Sequence, residues 1–244
     1  LAAFLGSLRH DEPLLLVGLG SNLLVRDGGY DGTAIFTHGA LNEMRREEDG
    51  RFYAEAGVAS PKLARFVANA GCAEAEFLAG IPGTVGGALT MNAGCHGGET
   101  WRHVDQVLML NRQGERVLRG PEEFAFAYRH VGLKEASDEI FAAAWFSFPP
   151  GDTDVARGRM RELLAWRVEK QPLQLPNAGS VFRNPPGDHA ARLIEAAGLK
   201  GTRIGGAQVS EKHSNFIVNP EGTASASAIE MLIGRIVAAV FEKQ

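Results

Sequence analysis

Apolar residues along this chain fall in short runs set off by glycine and proline. LLLVG (14–18) reads as a buried strand, followed by the turn LGSN and a second short apolar run, LLV. TAIFTH (33–38) and RFYAEAGV (51–58) read as further strands. The period then changes. Leu63, Ala64, Phe66, Val67 and Ala70 recur at helical spacing, which predicts a helix with Ser60 as its N-cap, Pro61 at its first position and Gly71 as its stop. VDQVLML and ERVLRG flank NRQG as the arms of a hairpin, and EIFAAAWFSF (139–148) is a long strand closed by Pro149-Pro150-Gly151. That Pro-Pro-Gly marks the expected domain boundary, dividing 1–149 from 150–244. Beyond it the pattern predicts helices over 154–171, stopped by Pro172, over 189–197 with Gly198 as its cap, and over 225–241. Strands and helices mixed without a regular βαβ rhythm place the chain in the α+β class.

Composition narrows the function classes. The 244 residues are 45% hydrophobic and 22% charged, which suits one large globular domain or two medium ones. The net charge is −4 and no basic cluster exceeds short runs such as Met44-Arg45-Arg46, so neither nucleic acid nor a membrane surface is an expected partner. No apolar run reaches the roughly 20 residues of a transmembrane helix, and no signal peptide is visible. Two cysteines, Cys72 and Cys95, are too few for a disulfide framework or a zinc cluster, so no metal is expected and a reducing cytosol fits best. The chain opens at Leu1 inside an apolar segment and closes at Gln244 directly after an amphipathic helix, so it reads as an interior piece of a longer protein. Its oligomeric state is left open, with a monomer as the working expectation.

The candidate chemistry lies in backbone. EFLAGIPGTVGGALTMNAGCHGGE (76–99) holds seven glycines among its 24 residues and almost no reactive side chain. Such a segment lets N–H groups come close to a ligand, and concave runs of N–H groups bind phosphate oxygens. The turn Gly18-Leu19-Gly20-Ser21-Asn22 follows a strand and suits the same task, but it lacks the third glycine and the following helix of a nicotinamide-binding fingerprint. Two such loops about 60 residues apart predict a long diphosphate ligand held between them. The competing reading makes the glycines tight turns and a bulge; it suits an isolated GLGSN better than the longer segment.

VGLGSNLLV, EFLAGIPGTVGGALTMNAGCHGGE, FAYR, NAGSVFRNP and GGAQVSEKHSNFIVN occur here in that order, and together they resemble the UDP-N-acetylenolpyruvoylglucosamine reductase family over essentially the whole chain. IPGTVGGALTMNAG alone indicates only the wider class of FAD domains of the vanillyl-alcohol-oxidase (PCMH) type; NAGSVFRNP with SEKHSNFIVN points to the reductases. The resemblance implies a two-lobed FAD-binding domain followed by a smaller α+β substrate-binding domain. It implies bound FAD, NADPH as co-substrate and a UDP-sugar substrate. The cofactor would lie against Gly18, Gly20, Ser21, Asn22, Leu23, Ile81, Pro82, Gly83, Thr84, Gly86, Gly87, Asn92 and Gly94.

In the family's cycle NADPH reduces FAD, flavin N5 passes a hydride to C3 of the enolpyruvyl ether, and a serine gives a proton to C2. Ser180 in NAGSVF matches that serine; its competing reading is a turn residue after Asn-Ala-Gly. Arg129 in FAYRH matches the arginine that stabilises the enolate-like state, against the alternative of a surface arginine beside an aromatic. Tyr128 lines the same pocket or packs in the core. Lys170, Asn184 and His213 match positions that bind the UDP-sugar, His213 being equally readable as a structural histidine. Cys95 stands where alanine is expected and reads as a small packed residue.

The family's C-terminal catalytic glutamate has no match: Glu242 follows the last helix without its context. The 51-residue spacing from Arg129 to Ser180 leaves no room for an inserted tyrosine-bearing loop, which matches the shorter, type II form. Three alternatives stay open here: an FAD oxidoreductase of the same fold acting on another substrate, a non-catalytic nucleotide-binding module, and a nicotinamide Rossmann enzyme.

Overall fold

The structure is a computed structural model that describes residues 1–243. The chain divides into two compact units, one of residues 1–19 and 31–164, the other of residues 20–30 and 165–244. The dividing line thus falls inside a helix, and a short loop near the N-terminus belongs with the C-terminal part.

The first unit is built on a five-stranded antiparallel sheet. Its strands run in the order Met44–Arg46, Phe52–Glu55, Ile140–Phe146, Val104–Leu110, Arg116–Arg119. The hairpin of the last two and the long strand before Pro149 form as their patterns predict, although the latter is trimmed to seven residues. Leu14–Val17 and Thr33–Phe36 form a separate parallel pair. Helix α1 covers Ala2–Leu5, α2 Ser60–Asn69, α3 Val85–Thr90 and α4 Thr153–Lys170.

Helix α2 buries Leu63, Ala64 and Val67 with Phe52, Leu78, Leu89 and Phe146 in one core. Each fully buried side chain of Leu or Phe size contributes roughly 1.5–3 kcal/mol. Gly71, at φ +75°, ends α2 as expected. Its start differs. Ala59 is the cap, and the Ser60 N–H donates to the Gly83 carbonyl at 2.9 Å. That tie draws Ser60 into the first turn, where its hydroxyl is buried with no partner among the described residues. Helix α4 begins at Thr153 because the Asp152 carboxylate accepts from the N–H groups of Asp154 and Val155, both at 2.9 Å.

In the second unit, Asn177–Ser180, Phe216–Val218, Ala207–Val209 and Arg203–Ile204 form a four-stranded antiparallel sheet in that order. Helices α5 (Ala190–Ala196) and α6 (Ala226–Lys243) supply Ile194, Leu232 and Ile236 to a core with Val209 and Ile217. The loop 20–30 is tied to α6. Asp27 accepts from the N–H groups of Ala226 (2.7 Å) and Ser227 (2.9 Å) and from the Ser227 hydroxyl, and Arg26 pairs with Glu230 at 2.8 Å. The overall class is α+β, as expected. Among the described residues no helix is long and apolar enough to cross a membrane.

Candidate functional site

The glycine-rich segment of the first unit folds into a one-turn 3₁₀ stretch (Glu76–Gly80), a bend at an exposed Pro82 and a half-buried Gly83, the short helix α3, and a two-residue hairpin pairing Gly94 with Glu99. Its glycines serve two ends. A Cβ on Gly86 would stand 2.9 Å from that of Ala56, and one on Gly18 would stand 2.5 Å from the Thr84 hydroxyl. One on Gly94 would meet the Gly98 carbonyl at 2.3 Å. These three are required by packing.

The N–H groups of Val85 and Gly86 donate to Val58 and Ala56, both at 2.8 Å, which pins the start of α3 beside the strand edge. Ile81 is buried, and Thr84 caps α3 by accepting from the Gly87 N–H at 3.4 Å. Gly87 is different: it is exposed, and a Cβ there would meet nothing nearer than the Thr84 hydroxyl at 3.8 Å. Pro82, Gly83 and Gly87 therefore form the open rim of the segment. Bare backbone with free space beside it suits a flat ligand with a diphosphate, and FAD fits this cradle.

Trp101 joins this segment to the candidate arginine. Its backbone N–H donates to the Asn92 side chain at 3.2 Å and its indole N–H to the Leu89 carbonyl at 2.8 Å. Its ring packs on Phe124 and Phe126, with centroids at 4.6 and 4.9 Å. Those two lie on Phe124–Ala127, which pairs with His130–Leu133 to leave Tyr128 and Arg129 at the hairpin tip. Arg129 adopts φ +56°, a left-handed conformation uncommon outside glycine. Its guanidinium donates to the carbonyls of Asn92 (3.3 Å) and Gly94 (2.6 Å). Two predicted cofactor positions and a predicted catalytic residue, far apart in sequence, are thus brought into direct contact. Tyr128 is exposed, 5.4 Å from the Arg129 guanidinium carbon to ring centroid, and is not a core residue.

In the second unit, Ser180 is the exposed last residue of its strand, paired with Phe216. Gly179 before it takes φ +81° and its N–H donates to the Asn177 carboxamide at 2.9 Å, which kinks the strand and presents the serine. Asn184 uses its carboxamide oxygen on the Ala190 N–H (3.1 Å) at the start of α5. His213 is half-buried, edge-on to Phe216 at 4.8 Å, and its Nδ1 accepts from the Asn215 N–H at 3.3 Å. Burial holds its pKa below the ordinary histidine value. The ring is then neutral at neutral pH, with its proton on Nε2 ready to be donated.

Lys170 is exposed at the end of α4 and pairs with Glu169 at 2.6 Å. Its neighbours Val168 and Gln171 line a cavity of about 300 Å³ closed on other sides by Leu173, Ser210 and Lys212. Gly20, Ser21, Asn22 and Leu23 lie in this unit too, with the Ser21 carbonyl 3.8 Å from the Cβ position of Gly179. Asn215 was not singled out by sequence; its only signal is a polar residue opening the buried run NFIV. Among the described residues no cluster of His, Cys, Asp and Glu could hold a metal.

Comparison with known proteins agrees with this picture. Residues 3–118 match the family model of an FAD binding domain, and residues 171–244 match that of the UDP-N-acetylenolpyruvoylglucosamine reductase C-terminal domain. The chain is 57% identical over 234 residues to UDP-N-acetylenolpyruvoylglucosamine reductase of Legionella pneumophila (strain Paris), covering 96% of this chain and 76% of that one. It is 55% identical over 243 residues to the reductase of Thiobacillus denitrificans, covering 94% and 75%. Its fold is similar to the crystal structure of UDP-N-acetylenolpyruvylglucosamine reductase from Thermus caldophilus, with a TM-score of 0.83 at 35% identity, over 93% of this chain and 82% of that chain.

Proposed function

The chain belongs to the UDP-N-acetylenolpyruvoylglucosamine reductase family, an FAD-dependent group of oxidoreductases, and from that premise we propose the reaction it performs and the residues that perform it. It is a cytosolic enzyme of peptidoglycan precursor synthesis. It reduces the enolpyruvyl ether of UDP-N-acetylglucosamine to the corresponding lactyl ether, UDP-N-acetylmuramate, with NADPH as reductant. Residues 1–149 carry the cofactor and residues 150–244 the substrate. FAD, when bound along Pro82, Gly83 and Gly87, would supply to C3 of the ether a hydride taken from NADPH.

This chain's own residues manage the charge and the proton. Addition at C3 builds negative charge on C2 and its carboxylate, and the guanidinium of Arg129 stabilises that charge. The Ser180 hydroxyl gives its proton to C2, completing addition of one hydride and one proton across the double bond; the alkoxide left behind recovers its proton from solvent. Lys170 meets the substrate diphosphate as a point charge, His213 donates from Nε2, and Asn184 and Tyr128 line the sugar-nucleotide.

The observation that supports the reading is the pair of bonds from Arg129 to the carbonyls of Asn92 and Gly94, which holds a guanidinium beside the glycine-rich segment. The test is NADPH consumption by the flavin-loaded protein. It should require the enolpyruvyl UDP-sugar and yield the lactyl ether by mass spectrometry. NADPH oxidation independent of that sugar, with no lactyl product, would contradict the proposal.

A further inference from the structure

The strand that ends in Ser180 does not stop abruptly. Ser180 pairs with Phe216, and one more backbone rung follows, from the Val181 N–H to the Asn215 carbonyl at 2.9 Å. The next residue, Phe182, is held by a side chain instead. Its N–H donates to the Asn215 Oδ1 at 2.9 Å, and its carbonyl accepts from the Asn215 Nδ2 at 2.9 Å. A carboxamide carries one acceptor and two donors, so it imitates a peptide group and adds a rung where the backbone has turned away. Asn215 is 4% exposed, so these bonds form out of competition with water.

The same residue reaches the other members of the substrate side. Its own N–H donates to His213 Nδ1 at 3.3 Å, which fixes the ring and its tautomer. Two residues beyond Phe182, Asn184 is in turn anchored to the start of α5. Ser180, Asn184 and His213 therefore all depend on one buried side chain and its peptide.

We infer that Asn215 is the positioning residue of the reductase, holding Ser180 and Asn184 in register through both polar groups of Phe182 while its backbone orients His213. The inference rests on the assignment of Ser180 as proton donor. Without the carboxamide rung, Phe182 loses both of its tethers and the Ser180 hydroxyl drifts from the reacting carbon. A displacement on the order of 1 Å costs about 100-fold in rate. The flavin-reducing half of the cycle needs none of these groups and should keep its rate.

The test uses the flavin-loaded protein with Asn215→Leu, which removes donor and acceptor at similar size, and Asn215→Asp, which keeps only the acceptor when ionised. NADPH should reduce the flavin at the wild-type rate in both. Transfer to the enolpyruvyl sugar should fall about 10- to 100-fold in Asn215→Leu, with a larger solvent isotope effect and fast amide exchange at Phe182. In Asn215→Asp transfer should recover as pH falls, because the protonated carboxyl regains a donor for the Phe182 carbonyl. At saturating sugar, combining Asn215→Leu with Ser180→Ala should slow transfer no further than Ser180→Ala alone.

Wild-type transfer in Asn215→Leu beside a slow Ser180→Ala overturns this inference alone. Wild-type transfer in Ser180→Ala overturns the proton-donor assignment and this inference with it. If Asn215→Leu does not fold, Asn215→Asp decides: wild-type transfer and isotope effect at neutral pH would overturn the inference.

Discussion

Residues 80–101 in the first unit and residues 177–184 in the second both set polar side chains beside glycine, and they use them differently. In the first, Thr84 caps α3, Thr90 donates to the Gly86 carbonyl at 2.9 Å, and Thr100 donates to the Ala93 carbonyl at 2.7 Å. Asn92 accepts from Trp101. Each polar side chain closes on its own loop, so what remains for a ligand is the open rim at Pro82, Gly83 and Gly87. In the second, Asn177 and Asn215 tie down the chain on either side of Ser180, and the serine itself stays exposed. In the proposed function one region binds with peptide groups and the other reacts with a hydroxyl. Substitutions in the first should therefore act on cofactor occupancy, and those in the second on the rate of transfer.

Two adjacent glycines give the largest expected effect. Gly87→Val should fold normally, since its side chain enters open space, yet yield protein without flavin and without turnover. Gly86→Val should instead destabilise the fold, because its Cβ meets Ala56. Flavin content and thermal unfolding of the two proteins separate these outcomes; full flavin in Gly87→Val would remove the cradle from the account.

Arg129 stands on the border of the comparison, as a side chain bonded to the backbone cradle. Lysine lacks the planar fork that meets both carbonyls in fixed geometry and leaves further donors free. Arg129→Lys should keep flavin but slow transfer to the enolpyruvyl sugar by about 10²-fold, the usual cost of losing one preorganised donor. Loss of flavin instead would make Arg129 a structural part of the cradle.

Asp27 gives the smallest effect. The Ser227 hydroxyl, followed by the N–H groups of Ser227 and Ala226, holds its carboxyl below the ordinary value of 3.8. A folded-state pKa lowered in this way contributes stability at neutral pH that is lost as pH falls below that ordinary value and through the folded one. Asp27→Ala should lower the melting temperature by a few degrees near neutrality, and the gap from wild type should close in acid. A gap independent of pH would mean that the carboxylate is not what holds the start of α6.

Much of this was legible in the sequence wherever one local signal sufficed. The NRQG hairpin, the Gly71 and Gly198 stops and the long strand before Pro149 all stand close to their predicted places. The sheet of the second unit was hidden because its strands are two to four residues long, too short to show a period. The Arg129 hairpin was hidden because its tip uses a left-handed arginine where sequence rules look for glycine or asparagine. Sequence also treats the glycines of the segment and of the 18–22 turn alike. Only contacts distinguish Gly18, Gly86 and Gly94, needed for packing, from Gly87, needed for access. Asn215 escaped notice because its partners lie 33 residues away.

The division of labour between cradle and hydroxyl is tested most directly by following flavin absorbance in single turnovers of Ser180→Ala. NADPH should bleach the flavin at the wild-type rate, since that step uses only the cradle. Reoxidation by the enolpyruvyl UDP-sugar should be slower by about 10²–10⁴-fold, the usual contribution of a general acid. Reoxidation at the wild-type rate, with the lactyl ether as product, would contradict the account.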